Sequence, residues 1–340
     1  MKVSIIIPTR NEAKYLPRVI DSLLKQDYPQ ENIEILIVDG RSTDHTRETV
    51  ERYRGKFKFI RLIDNPQIYT VFAFNSGIKN AIGDVLFFVG AHTEYSPNYV
   101  STVVKYIKEN KAECVGSVAR TLPGDKTLLA ASIALVLSSP FGVGNSYMRI
   151  GQKTIRYTDT ASCSGYKKEV FEKIGLFNEK LIHSQDIEFN LRLRKAGMRI
   201  LLVPDIMSYY YARPNFFSFC KHNFRNGLWS ILPFKYSSIT PISIRHLIPL
   251  AFVLSLLGSL IFSFFSSICL YLFYAISGAY LAVNIFFSVE IFLKTRKIKY
   301  LVSIPVTYTA LHVVYGMGSM WGLVKLFQKE TNSPSALCRS

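Results

Sequence analysis

The chain has 340 residues, 49% of them hydrophobic, and carries 41 Lys and Arg against 24 Asp and Glu, a net charge of +17. Its mean hydropathy lies above zero, which is unusual for a soluble protein and points to apolar residues that face lipid. No nucleic-acid module accompanies the positive charge, which is better matched to anionic headgroups or a pyrophosphate, and the five cysteines lack paired metal-ligand spacing, against a zinc site and in keeping with a reducing compartment.

In chain order, apolar β-rich runs at residues 3–7, 33–38, 58–62, 85–89 and 113–118 alternate with helical patterns at 12–25, 44–54, 69–81 and 98–109. The first run is too short for a signal-peptide core and is stopped by Pro8. Ser42 or Thr43 is placed to cap the second helix, and Pro97 precedes the fourth. Strands that are apolar throughout, joined by helices, predict an α/β domain with a mostly parallel, doubly wound sheet, whose ligands bind beyond the C-terminal strand ends. At those ends stand Pro8 to Glu12, Asp39 to Asp44, and Gly90 to Glu94. Neither a G-x-G-x-x-G after the first strand nor a G-x-x-x-x-G-K-[ST] occurs, so dinucleotide dehydrogenases and P-loop nucleotidases lose their main support.

Farther along, residues 128–137 are apolar but too short to span a bilayer, and residues 216–229 mix aromatics with Lys221, His222 and Arg225 as an interfacial helix does. From Leu247 to Leu293 the only charged residue is Glu290, a run that accommodates two antiparallel spans of about 20 residues with a turn near residues 265–268. A third candidate, from residue 301 to about 326, is interrupted by Pro305, Gly316, Gly318 and Gly322. Arg245 before the first span and Lys294, Arg296, Lys297 and Lys299 after the second put both basic flanks, and the N-terminal domain with them, on the cytoplasmic side of the cell membrane. The expected organisation is a catalytic-type domain over residues 1–230, a linker over 231–246, a helical membrane region of about three helices over 247–327 and a tail over 328–340.

Three segments, Ser4 to Glu12, Val38 to Thr46, and Gln185 to Arg192, together resemble the family 2 glycosyltransferases, over roughly residues 1–229. Within that family, Asp39-Gly40, Ala91-His92, Phe141 to Ser146, and His312 followed by Tyr315, Gly316 and Gly318 look most like the membrane enzymes of the succinoglycan-biosynthesis type. The resemblance implies a GT-A fold, a nucleoside-diphosphate sugar donor and inversion at the anomeric carbon. It maps donor binding onto Asp39, with Pro8, Thr9, Asn11, Glu12 and the Ala91-His92 pair in the same crevice. A carboxylate such as Asp39 accepts from a base N–H or a ribose hydroxyl, whereas Asp44, at a helix start, reads equally as a donor ligand and as a cap.

The departures from the family are as informative. Where relatives carry D-x-D for a divalent cation, this chain has Gly90-Ala91-His92. Alternate residues of an extended segment share a face, so His92 and Glu94 are candidate ligands for Mn2+, which suits imidazole better than Mg2+ does; the other reading of His92 is a metal-free partner of phosphate or sugar. The family's Glu-Asp pair is Gln185-Asp186 here, and the general base that an inverting transfer needs maps to Asp186. The Q-x-x-R-W of polysaccharide synthases is replaced by His222 to Trp229, which weighs against processive polymerisation. The resulting expectation is sugar transfer to a polyprenyl-linked glycan acceptor at the membrane lipid surface, with no nucleic-acid partner. Two alternatives stand beside it: transfer to polyprenyl phosphate itself, and a catalytically silent sugar-nucleotide-binding scaffold.

Overall fold

The computed structural model describes residues 1–237 and 244–328. The expected tail beyond residue 328, with Cys338, and the middle of the expected linker lie outside the described residues. The chain opens with β1 (Val3–Thr9), α1 (Leu16–Leu24), β2 (Ile33–Asp39), α2 (Thr46–Lys56), β3 (Ile60–Asp64), α3 (Thr70–Asn80) and β4 (Val85–Phe88). It continues through β5 (Thr93–Tyr95), α4 (Tyr99–Lys108), β6 (Cys114–Leu122), α5 (Leu128–Val136), α6 (Pro140–Val143), α7 (Tyr147–Ile150) and β7 (Arg156–Tyr157). Next come β8 (Ser162–Lys167), α8 (Glu169–Ile174), α9 (Gln185–Lys195) and β9 (Ile200–Tyr211). Helices α10 (Phe216–Ile231), α11 (Pro233–Tyr236), α12 (Ile248–Phe262), α13 (Ser267–Thr295) and α14 (Tyr300–Phe327) complete it. Among the described residues, one compact unit takes residues 1–120 and 151–210, the other 121–150 and 211–328.

The first unit is built on a sheet ordered β3-β2-β1-β4-β8-β6-β9-β5, with β7 on β9. Its leading strands are parallel, as the alternation of strand and helix predicts, and every residue of β2 is buried. From β4 onward the recorded pairings turn antiparallel, so the sheet is mixed: β8 lies between β4 and β6 and runs against both. Helix α1 buries Leu16, Val19, Ile20 and Leu23, an i, i+3, i+4, i+7 stripe. It starts later than its apolar pattern suggests because the Glu12 carbonyl takes the N–H groups of Tyr15 and Leu16 in a preceding turn. Neither Ser42 nor Thr43 caps α2. The Ser42 hydroxyl is spent on Asp39, and the Asp44 carboxylate accepts from Thr46 N at 3.0 Å.

In the second unit the apolar run divides unequally. Helix α12 has 15 residues, short of the roughly 20 a span requires, whereas α13 with 29 and α14 with 28 are long and apolar enough to cross a membrane. Helix α14 is continuous through Pro305 and its glycines, and the glycines serve close packing. A Cβ on Gly318 would lie 2.0 Å from the Phe224 carbonyl oxygen of α10, and one on Gly227 of α10 would lie 2.0 Å from that of Tyr315. Helix α10 is therefore packed as well as interfacial: Phe219 and Trp229, expected at an interface, are buried, and Phe216 and Phe217 stay exposed. Several polar side chains of the apolar helices pair with one another or with backbone. His312 Nε2 donates to the Phe141 carbonyl at 2.9 Å while its Nδ1 accepts from the Tyr280 hydroxyl, and Asn284 Nδ2 donates to the Pro305 carbonyl at 3.1 Å.

Candidate active site

Register brings the site together before any side chain is considered. Thr9 pairs with Asp39 and Asp39 with Asp64, so the ends of β1, β2 and β3 form one row. The loops that leave this row are tied to each other. Asn11, in a left-handed conformation (φ 56°), donates its backbone N–H to the Ser42 hydroxyl at 2.9 Å and accepts at its side-chain oxygen from Thr43 N at 2.8 Å. Glu12 N donates to the Thr46 hydroxyl at 2.8 Å. Asp44 accepts from Ala13 N as well as from Thr46. Burial pushes the Asp44 carboxyl up, but its hydrogen bonds from Thr46 and Ala13 prevail and hold it below the ordinary carboxylate range.

The Asp39 side chain is fully enclosed. One oxygen accepts from Ser42 N and from Arg47 at 2.9 Å, and the other from the Ser42 hydroxyl at 2.5 Å. Arg47 also reaches Asp64 at 2.7 Å, and these two acids hold its guanidinium charge firmly, raising it above its usual value.

A cavity of about 310 Å³ opens beside this row. Of the residues singled out from sequence, Pro8, Thr9, Glu12, Ala91 and His92 line it. Asn11, Asp39 and Asp44 are not in its wall; they brace the loops behind it. Sequence reasoning missed Arg10, Asn65, Thr70 and the apolar wall of Ile68, Phe74 and Phe88. The sequence signal for Asn65 is its place directly after the third strand, at the same end of the sheet as the other loops.

Within the cavity, His92 Nδ1 lies 3.2 Å from Glu12 Oε1, and the ring meets Tyr15 and Tyr210 edge-on or tilted, each at 6.3 Å. Gly90 N donates to the hydroxyl of fully buried Tyr95, which burial raises well above its usual pKa. Glu94 sits on β5 between buried Thr93 and Tyr95. Among the described residues no three His, Cys, Asp or Glu side chains gather as a cation site.

Asp186 stands exposed in the first turn of α9, directly after Ser184 in a left-handed conformation (φ 58°) and Gln185. It is outside the cavity wall, but its helix is bolted to that wall. Phe189 packs on Phe177 at 4.4 Å, and Phe177 on the wall residues Phe74 at 5.4 Å and Phe88 at 5.3 Å. Asn75 of α3 closes the same joint, donating to the Phe177 carbonyl and accepting from its N–H. Beside Phe189, with its guanidinium 5.0 Å from that ring, Arg192 holds both oxygens of buried Glu188 and donates to the carbonyls of Ile174 and Leu176.

Comparison with known proteins bears on this arrangement. The family model described as Glycosyl transferase family 2 matches residues 4–175. Over 332 residues the chain is 31% identical to the dolichyl N-acetyl-alpha-D-glucosaminyl phosphate 3-beta-D-2,3-diacetamido-2,3-dideoxy-beta-D-glucuronosyltransferase of Methanococcus voltae, an alignment covering 95% of this chain and 97% of that protein. It is 29% identical to the succinoglycan biosynthesis protein ExoA of Rhizobium meliloti, over 69% of this chain and 75% of that one. Among solved structures, the mannosyltransferase PcManGT of Pyrobaculum calidifontis, in complex with GDP-Man and Mn2+, is similar with a TM-score of 0.60 over 95% of this chain and 87% of that chain, at 17% identity. That last likeness is one of fold.

Proposed function

The chain belongs to glycosyltransferase family 2 and has the GT-A fold, and from that membership we propose that it transfers one sugar, with inversion, from a nucleoside-diphosphate sugar to a polyprenyl-linked glycan at the cytoplasmic membrane face. The observation that carries the reading is the cavity at the parallel strand ends, walled on one side by the helix packing that carries Asp186. The Methanococcus relative, named for a dolichyl-phosphate-linked sugar, matches nearly the whole chain, which supports a lipid-borne acceptor. Two helices long and apolar enough for a bilayer agree with it.

In this reading the nucleoside and diphosphate occupy the cavity against Pro8, Thr9, Glu12, Ala91 and His92, and Asp39, Asp44 and Asn11 keep the surrounding loops in place. Arg10 offers positive charge, and His92 a hydrogen bond, to the phosphates. Asp186 takes the proton of the acceptor hydroxyl as that oxygen bonds the anomeric carbon, and the bond from that carbon to the diphosphate breaks on the opposite face, releasing the nucleoside diphosphate. A divalent cation, when bound, supplies further positive charge to the diphosphate. Glu12 and His92 are the cavity groups that would hold it, Glu94 being the next nearest in sequence. One or two protein groups are the ordinary complement where substrate phosphates supply the rest, and the imidazole favours Mn2+.

The acceptor is tested by offering purified protein polyprenyl phosphate alone or a polyprenyl-diphosphate monosaccharide, with labelled donor, and separating the products by chromatography. Label is expected on the glycan-bearing lipid; efficient labelling of polyprenyl phosphate alone would replace this acceptor with the bare lipid phosphate.

A further inference from the structure

From Tyr211 to Val289 the sequence contains no Asp or Glu, yet it places five Lys or Arg residues there, Arg245 among them. Residues 121–150 of the same unit hold one acid, Asp125, against Lys126 and Arg149. An excess of one sign at this density raises the local concentration of anions, and it belongs to the unit's own sequence. None of it enters the transfer chemistry assigned to the first unit.

Arg245, three residues before α12, is seated against the loop that follows α6. Its Nη1 donates to Asn145 Oδ1 at 3.2 Å, and a Cβ on Gly144 would come within 3.3 Å of the Arg245 Cβ, so the aliphatic stem lies along the loop backbone. Gly144 holds φ 61° and ψ −143°, a conformation open in practice to glycine alone. The loop is fixed at three points. Ser139 Oγ accepts from Gly142 N at 3.2 Å, a Cβ on Gly142 would lie 2.0 Å from the Val136 carbonyl oxygen, and the Phe141 carbonyl accepts from His312 Nε2 at 2.9 Å. Asn145 itself is exposed. With Oδ1 accepting from Arg245, the end of its amide offered to solvent is the Nδ2 donor, and a guanidinium has donors only. The pair is thus a positively charged, donor-only surface on a rigid loop. A cation finds no ligand there, whereas the oxygens of a phosphate find both charge and hydrogen bonds.

We propose that Arg245 and Asn145 bind the phosphate of the lipid-linked acceptor. This rests on the reading that the acceptor glycan is carried on a polyprenyl phosphate or diphosphate. Arg245 lies beyond residues 4–175, which the family model matches. Membrane headgroups present phosphate too, but attraction to them needs only diffuse positive charge, which the other cations of the stretch supply. A guanidinium and an amide held side by side by a glycine-built loop are preorganised for one phosphate group.

The test is thermophoresis of the full-length protein in neutral detergent micelles, titrated with geranylgeranyl phosphate or with geranylgeraniol. Wild type is expected to bind the phosphate about tenfold or more tighter than the alcohol, as charge-assisted hydrogen bonds to one phosphate provide. Arg245→Gln should reduce that preference to under about threefold and leave affinity for the alcohol unchanged, which also reports an intact fold. Asn145→Asp, which sets a carboxylate against the phosphate, should reduce it likewise, and Lys297→Gln, which removes a cation between α13 and α14, should leave it as in wild type. Phosphatidylglycerol in about tenfold excess over the probe should not displace it. No preference in wild type, a preference kept by Arg245→Gln and Asn145→Asp, or an equal loss in Lys297→Gln overturns the proposal. Displacement by phosphatidylglycerol also overturns it and makes the pair a headgroup site. Sugar transfer to a polyprenyl-diphosphate monosaccharide by a protein without the preference leaves the proposed activity standing. A protein that shows the preference and labels no lipid-linked product keeps the lipid-phosphate site and loses the activity.

Discussion

Replacing Asp186 by Asn is expected to slow sugar transfer by about 100- to 10,000-fold, the usual contribution of a general base, while the donor still binds with about wild-type affinity. Asn keeps the shape of the side chain and its place in the first turn of α9 but cannot accept the acceptor's proton. The residue is exposed and Asn matches Asp in shape, so the variant should fold as wild type does. Initial rates at saturating donor, with donor binding measured separately, distinguish the two effects. A fall of both rate and donor affinity would move Asp186 from catalysis to donor binding, and a rate within about tenfold of wild type would remove it as the base.

The second large effect is expected at Arg192, in the last turn of α9. Its guanidinium fixes both oxygens of Glu188, whose side chain is only 4% exposed, and satisfies the carbonyls of Ile174 at the end of α8 and of Leu176 just beyond it. Arg192→Met leaves the Glu188 carboxylate buried without its partner, and about 3–5 kcal/mol of stability should be lost. Adding Glu188→Gln to the same chain should recover part of that loss, since the uncompensated charge is then gone. Thermal unfolding in detergent of the two single variants and the double measures the coupling. Additive losses would show that the two side chains do not act as a pair.

The parallel half of the sheet and the helices around it were legible because their signals are local. Runs such as Ile33 to Val38 are apolar at every position, and α1 keeps a helical stripe from Leu16 to Leu23. The antiparallel half was not legible as such. Strand β6 reads as one more buried strand, and its direction depends on β8, some 40 residues later by chain order, whose sequence Ser162 to Lys167 is too polar and too short to stand out. The C-terminal apolar region shows the same divide. Composition identifies the apolar run, but where it breaks is decided at Ser263 to Ser266, and α12 comes out shorter than a span. The glycines of α14 read as helix breakers in isolation; only the neighbouring backbone of α10 shows them to be packing surfaces.

At the site, motif residues announced the loops but not their division of labour. Pro8, Thr9, Glu12 and His92 do face the cavity, whereas the acid that the resemblance places foremost, Asp39, is turned inward to Ser42 and Arg47. A carboxylate and its partners eight residues apart can be guessed from sequence, but whether their bond is made depends on the row of strand ends that sets Asp39 beside Asp64. His92 was read with Glu94 because the two alternate along the chain, and it pairs with Glu12 because the ends of β1 and β4 are neighbours in the sheet.

The measurement that bears most directly on the proposed activity is transfer of radiolabelled sugar from a panel of nucleotide sugars into membrane lipid extract by the purified protein. At least one donor is expected to label a lipid-linked product in proportion to enzyme and time. Intact protein that binds a nucleotide sugar yet labels no lipid from any donor would contradict the account and make the chain a sugar-nucleotide-binding membrane scaffold.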